Sequence, residues 1–186
     1  MIDVYEVMKT ILPYRNDDLV VPTEMAVSAW ADVTENPELD VPNPAMGKGS
    51  SIGLGLALAC PDRRVIVWDG DGGLLMNLGS LITIADQAPK NLYHIVLDNE
   101  MYATTGGQPV PNAGEFSFAR IAMECGYPKV YEFTDIDSWC AQMSNILFED
   151  GPVMVVFKSL PLMPDWSKSR RREIKSSAWI AHNSID

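Results

Sequence analysis

Val65-Ile66-Val67-Trp68-Asp69-Gly70-Asp71-Gly72-Gly73-Leu74-Leu75-Met76-Asn77 is the stretch on which the fold turns. A short run of β-branched and aromatic residues passes into Gly-Asp-Gly and then into an amphipathic pattern, as when a buried parallel strand hands over to a helix. Leu74, Leu75, Leu78, Leu81, Ile82 and Ala85 recur at the spacing of one helical face and Pro89 stops the pattern, so the spacing predicts a single helix here.

Outward from this segment the same alternation repeats. Strands are expected at Leu19–Val21, Val65–Trp68, Leu92–Leu97, Lys129–Phe133 and Val153–Phe157. Helices are expected at Ser50–Cys60, Phe116–Cys125 and Ile136–Phe148, and loops at Asn36–Gly49 and Thr104–Gly114, which are rich in turn residues. Short apolar strands between helical patterns predict an α/β fold, a parallel sheet with helices on both faces. The 186 residues, 47% of them hydrophobic, suit one domain spanning residues 1–186, with a basic tail from about residue 165 carrying Lys168, Arg170, Arg171, Arg172 and Lys175.

Composition excludes several classes of function. A formal charge of −11 disfavours a nucleic-acid partner, because an acidic surface repels phosphate backbones. No run of about 18 apolar residues suggests a membrane span, and Met1 to Lys9 lack the pattern of a signal peptide, so a cytoplasmic location without membrane attachment is expected. Cys60, Cys125 and Cys140 form no CxxC pair and are expected to be reduced, buried small hydrophobes. His94 lies in an apolar run and is expected to be structural, whereas His182 is expected to be solvated. Gly47-Lys48-Gly49-Ser50 does not match a P-loop.

Open α/β sheets bind ligands outside the carboxyl ends of their strands, where the Gly-Asp-Gly segment falls. Gly70, Gly72 and Gly73 free the backbone to approach an anion, and the helix that follows presents unpaired N–H groups. A phosphate would repel Asp71 unless a divalent cation lay between them, as Mg²⁺ does with oxygen ligands. A second ligand is then expected at the end of the next strand, where Asn99 offers a neutral carbonyl oxygen.

Gly70-Asp71-Gly72 followed by Asp98-Asn99 resembles the thiamine diphosphate motif of the decarboxylase and acetolactate-synthase superfamily. The strings from Asp69 to Ser80 and from Leu97 to Gln108 resemble more closely those of sulfopyruvate decarboxylase β subunits and phosphonopyruvate decarboxylases, and the likeness runs roughly from Met46 to Phe157. The resemblance implies thiamine diphosphate and Mg²⁺ as cofactors, with Asp71, Asn99 and the main-chain oxygen of Met101 as metal ligands. It implies further cofactor contacts at Pro44, Met46, Gly47, Gly70, Gly72 and Gly73, with Met46 propping the bent cofactor. Pro44 stands where the family usually carries glycine, and Gly73 replaces a small hydroxyl residue. Thr104, Thr105, Gly106, Gly107 and Gln108 are the expected substrate loop, or else a mobile surface turn.

The expected activity is decarboxylation of a 2-oxoacid such as sulfopyruvate or phosphonopyruvate, giving carbon dioxide and an aldehyde. The family's activating glutamate belongs to a pyrimidine-binding domain, for which the residues before Met46 leave no room. No catalytic residue is therefore expected in this chain, and an α-type partner subunit is, in a hetero-oligomer with at least two of each chain. Gly53 and Ala57 are candidates for a close helix contact between chains. Another thiamine-dependent lyase or carboligase subunit, acetolactate-synthase-like, and a non-catalytic thiamine diphosphate-binding subunit remain as alternatives.

Overall fold

The computed structural model describes residues 1–163. Its centre is a five-stranded parallel sheet in the order β1-β2-β3-β7-β6, formed by β1 (Leu19–Pro22), β2 (Val65–Gly70), β3 (Leu92–Asp98), β6 (Lys129–Phe133) and β7 (Val153–Lys158). Two short antiparallel strands, β4 (Met101–Tyr102) and β5 (Gln108–Pro109), make a separate hairpin after β3. All five expected strands are present, and four extend one or two residues beyond their expected carboxyl ends.

Both faces of the sheet are covered, because its strands are apolar on both sides. Ile66, Trp68, Ile95, Leu97, Val155 and Phe157 pack with α1 (Val4–Ile11), α2 (Glu24–Val33) and α7 (Ile136–Ile146). The residues that alternate with them along the strands, Val65, Val67, Leu92, Val96, Met154 and Val156, pack on the opposite face. That face carries α3 (Gly49–Ala59), α4 (Asp71–Met76), α5 (Ser80–Gln87) and α6 (Phe118–Glu124). The alternation follows from the period of two along a strand. The step from β6 back to β7 runs against the direction of the earlier crossovers, and α7 accordingly lies on the other face, as right-handed connections require.

Several helices start at short polar caps. Asp3 accepts hydrogen bonds from the amides of Tyr5 and Glu6 at α1, Ser117 from Arg120 at α6, and Asp135 from Ser138 at α7. Neither α1 nor α2 was among the expected helices.

The single helix expected after β2 is two helices. The chain leaves helical geometry at Asn77 (φ −140°, ψ 40°) and resumes at Ser80. Asn77 Nδ2 donates to Ser51 Oγ at 3.0 Å, and Ser80 Oγ donates to Ser50 Oγ at 2.7 Å, so the break is tied to α3 by side-chain hydrogen bonds. Leu74, Leu81 and Ile84 remain buried, but the offset turns Ile82 outward, 61% exposed.

Gly53 and Ala57 do not form an interchain surface. Both are buried against the chain's own sheet, and a Cβ on Gly53 would stand 2.3 Å from Val67 Cγ2. The small residues bring α3 close to β2. The cysteines also depart from expectation, since Cys60 and Cys125 are half-buried and Cys140 is exposed; all three are free thiols. The basic tail and His182 lie outside the described residues.

Candidate cofactor site

The carboxyl ends of β1, β2 and β3 open into one cleft of about 350 Å³, its mouth included. Gly70, Asp71, Asn99, Met101 and Thr104 line it, together with Thr23, Glu24 and Met25. Thus five of the expected site residues meet in one place, from segments far apart in the chain.

Beneath the cleft the end of β2 is held by a buried polar strut. Asp69 Oδ1 accepts from Thr23 Oγ1 at 3.2 Å and from the Gly70 amide at 3.1 Å, while His94 Nε2 donates to Asp69 Oδ2 at 3.1 Å. His94 and Asp69 are almost wholly shielded from water, so this histidine is the satisfied structural group expected from its apolar surroundings.

Asp71 begins α4, and its side chain is oriented by backbone on both oxygens. Oδ1 accepts from the Gly72 amide at 2.8 Å, and Oδ2 accepts from the Glu100 amide at 2.6 Å. The second bond couples the end of β2 to the turn after β3, where Glu100 takes a positive φ of 64°. In that turn Asn99 Oδ1 accepts from the Met101 amide at 3.0 Å. Burial, reinforced by the nearby Asp98 carboxylate, raises the Asp71 pKa to about 7 despite the backbone amides that favour its charged form. Among the described residues no cationic side chain pairs with this buried acid.

This donor set fits a divalent cation beside a diphosphate. It combines one buried carboxylate with the amide oxygen of Asn99 and the main chain of Met101 along one wall of the cleft, and hard oxygen donors of this kind suit Mg²⁺. Among the described residues no three His, Cys, Asp or Glu side chains gather as a metal cluster, in keeping with a set that contains a single carboxylate.

The remaining expected contacts are placed less directly. Gly47 has φ +71° and sits where a Cβ would lie 3.1 Å from Met76 Cβ, so the turn containing Met46 packs on α4. Met46 is half-buried and Pro44 exposed, and neither of them nor Gly47 lines the cleft. Gly72 and Gly73 are buried in α4. A Cβ on Gly72 would meet the Tyr102 ring at 2.4 Å, so this glycine admits an aromatic ring of the same chain. In the expected substrate loop Thr104 borders the cleft, whereas Thr105, Gly106 and Gln108 are exposed on the β4–β5 hairpin and Gly107 is half-buried.

Glu24 is the site residue that the sequence reading missed. It opens α2 directly after β1 with φ +49°, and its carboxylate reaches into the Gly70–Gly73 segment. Its Oε1 is buried without a hydrogen-bond partner. Burial first, then the Asp69 and Asp71 charges, raises its pKa to about 7. The rule that placed Asp71 at a strand's carboxyl end applies equally to Pro22-Thr23-Glu24, and that was the available signal.

The family described as Thiamine pyrophosphate enzyme, C-terminal TPP binding domain, matches residues 34–157. Phosphonopyruvate decarboxylase from Streptomyces viridochromogenes is 43% identical over 111 residues, which are 60% of this chain and 28% of that protein. The sulfopyruvate decarboxylase subunit beta of Methanocaldococcus jannaschii is 40% identical over 117 residues, 63% of this chain and 61% of the relative. A solved structure from Mycobacterium smegmatis, described as thiamin diphosphate-dependent, superposes with a TM-score of 0.70 at 22% identity over 86% of this chain and 32% of that one. This last likeness is one of fold. The chain spans under a third of the phosphonopyruvate relative and about three fifths of the M. jannaschii subunit.

Proposed function

Because the chain belongs to the family of thiamine pyrophosphate enzyme C-terminal TPP-binding domains, we propose that it is the diphosphate-holding, β-type subunit of a split thiamine diphosphate-dependent 2-oxoacid decarboxylase. The observation that carries the proposal is the meeting of Asp71, Asn99 and Met101 at the ends of adjacent strands in one cleft. In this reading Asp71, Asn99 and the Met101 carbonyl hold Mg²⁺, and the Gly70–Gly73 segment faces the diphosphate. Thiamine diphosphate, when bound, supplies an electron sink for the carbon that loses carbon dioxide.

The chain's own residues bind and orient. Asp69, fixed by Thr23 and His94, holds the strand end from which Asp71 projects. Asp71, fixed by the amides of Gly72 and Glu100, sets the distance between the two loops. Met46 and Gly47, on the turn packed against Met76, belong to the cofactor's ring end, and Pro44 keeps a carbonyl that can accept a hydrogen bond. Thr104, Thr105, Gly106, Gly107 and Gln108 form the substrate loop. Gly106 (φ +116°) and Gly107 (φ +80°) shape its turn, and their amides, which donate to the Ala103 and Tyr102 carbonyls, would have to exchange those bonds to bind an anionic group such as a sulfonate or phosphonate.

A proton-relaying glutamate at the pyrimidine ring comes from an α-type partner in this account, and the β-subunit designation of the M. jannaschii relative supports that division. The complex has at least two of each chain and works in the cytoplasm, where the three free thiols stay reduced. The test supplies the chain with thiamine diphosphate, Mg²⁺ and sulfopyruvate, phosphonopyruvate or pyruvate, with and without the co-purifying chain, and measures carbon dioxide. Turnover only with the partner, and faster on the doubly anionic acids, is expected. Turnover by the lone chain would refute the split, and carbon–carbon bond formation in place of free aldehyde would select a carboligase. One observation favours a second reading, a non-catalytic subunit: Glu24 places a carboxylate beside the segment that would face the diphosphate.

A further inference from the structure

We propose that Glu24 is a gate on the diphosphate cradle, its carboxylate occupying the space between Gly70 and Gly73 that an incoming diphosphate must take. The inference rests on the cofactor reading above and specifies how that site is loaded. A Cβ on Gly70 would stand 2.8 Å from Glu24 Oε2, and one on Gly73 would stand 1.8 Å from Glu24 Oε1. Both glycines therefore border one volume, and a carboxylate of this chain fills it.

Three features mark the occupancy as provisional. Oε1 is buried with no hydrogen-bond partner, so the carboxylate fills the cradle without being bound by it. Its neighbours are Asp69 and Asp71, which share its sign. The main chain carries it at φ +49°, a conformation that side chains with a Cβ rarely adopt, pinned by the Thr23 amide on the Trp68 carbonyl and the Glu24 amide on the Asn43 carbonyl. An anchored backbone with an unanchored carboxylate is the arrangement of a side chain that can rotate away. Glu24 also borders the open cleft.

A role as an additional metal ligand is less well supported. Although Glu24, Asp69 and Asp71 are neighbours, no three His, Cys, Asp or Glu side chains of the described residues are placed to hold a metal ion together. Both Asp71 oxygens already accept backbone amides, whereas Glu24 Oε1 has none, so the two carboxylates are not held alike. A diphosphate brings several negative charges and cannot share the volume with Glu24. Loading then exchanges one anion for another, and apparent affinity is lowered by the free energy of moving the carboxylate out.

The test uses the full chain with Glu24→Gln, which keeps the volume and removes the charge, and Glu24→Gly, which removes the side chain and suits the positive φ. Affinity for thiamine diphosphate and for inorganic pyrophosphate, each with Mg²⁺, is measured by calorimetry, and melting is measured without ligand. The expectation is binding about tenfold tighter in Glu24→Gln and at least as tight in Glu24→Gly, since a like charge within a few ångströms is worth a decade or more. Melting temperatures without ligand should rise in both variants. Wild-type binding that is unchanged or weakened by Glu24→Gln would overturn the gate, and weakening would mark Glu24 as a ligand. Binding by the variants but not by the wild type would support the gate in its strongest form. Absence of binding in all three would instead sink the cofactor reading on which the gate rests.

Discussion

The carboxyl ends of β1 and β2 lie side by side in the sheet and face the same cleft, yet they are built oppositely. At the end of β2, Asp71 is a carboxylate held on both oxygens by backbone amides. At the end of β1, Glu24 is a carboxylate whose buried Oε1 has no hydrogen-bond partner among the described residues, carried on strained backbone. In the proposed account one acid is preorganised for a ligand and the other is displaced by it. Identical chemistry at neighbouring strand ends thus divides into a grip and an obstruction according to which groups answer its lone pairs.

The largest effect should come from dismantling the grip. Asp71→Ala and Asn99→Ala are each expected to reduce Mg²⁺-dependent thiamine diphosphate affinity by about a hundredfold or more, because Mg²⁺ tolerates missing oxygen ligands poorly. Ligand-induced thermal shift measures it, and circular dichroism should show the fold intact. Undiminished affinity in both would end the distinction between the two strand ends.

The geometry beneath the site comes next. Gly53→Ala sets a Cβ 2.3 Å from Val67 Cγ2, against the strand that carries the Gly-Asp-Gly segment. Overpacking of this kind costs about 1–3 kcal/mol, read from chemical denaturation. A neutral result would mean that α3 stands off the sheet and does not brace β2.

The pH dependence sharpens the comparison between the two acids. Glu24 and Asp71 both have folded-state pKa values raised to about 7, from 4.5 and 3.8 respectively. Between those ordinary values and 7 the folded chain retains protons that the unfolded chain has released. Their contribution to stability is therefore lost as pH rises through that window. Without ligand, the melting temperature should fall from pH 5 to pH 8, with Glu24→Gln flattening the fall. Added Mg²⁺ and thiamine diphosphate should oppose it, because a bound cation favours the charged Asp71.

The smallest effect should come from Gly79→Ala between α4 and α5, where a Cβ would meet nothing within 4 Å and φ is −60°. A stabilisation of about 0.5 kcal/mol is expected from the stiffer unfolded chain.

These contrasts also explain what could be read from sequence. The sheet was legible because its strands are short apolar runs punctuated by Gly and Pro, and the Asp71–Asn99 pairing because both residues follow such runs directly. The break at Asn77 was hidden because Leu74, Leu78 and Leu81 keep helical spacing across it, while the hydrogen bonds that tie it to Ser50 and Ser51 come from residues distant in sequence. Gly53 and Ala57 announced a close approach but not the partner, which proved to be the chain's own β2. Glu24 escaped notice because its meaning lies in what it fills, the space left by glycines on another strand. A single exposed-looking Glu after Pro22-Thr23 does not disclose that its backbone is left-handed or that its carboxylate is partly buried.

The central claim is that this chain itself grips a diphosphate through a cation at Asp71 and Asn99. Calorimetric titration of the purified chain with thiamine diphosphate, in Mg²⁺ and again in excess chelator, tests it most directly. The account predicts saturable binding in Mg²⁺ that disappears in chelator and in Asp71→Ala. Binding that persists unchanged in chelator, or no binding by the wild type and by Glu24→Gly alike, would contradict it.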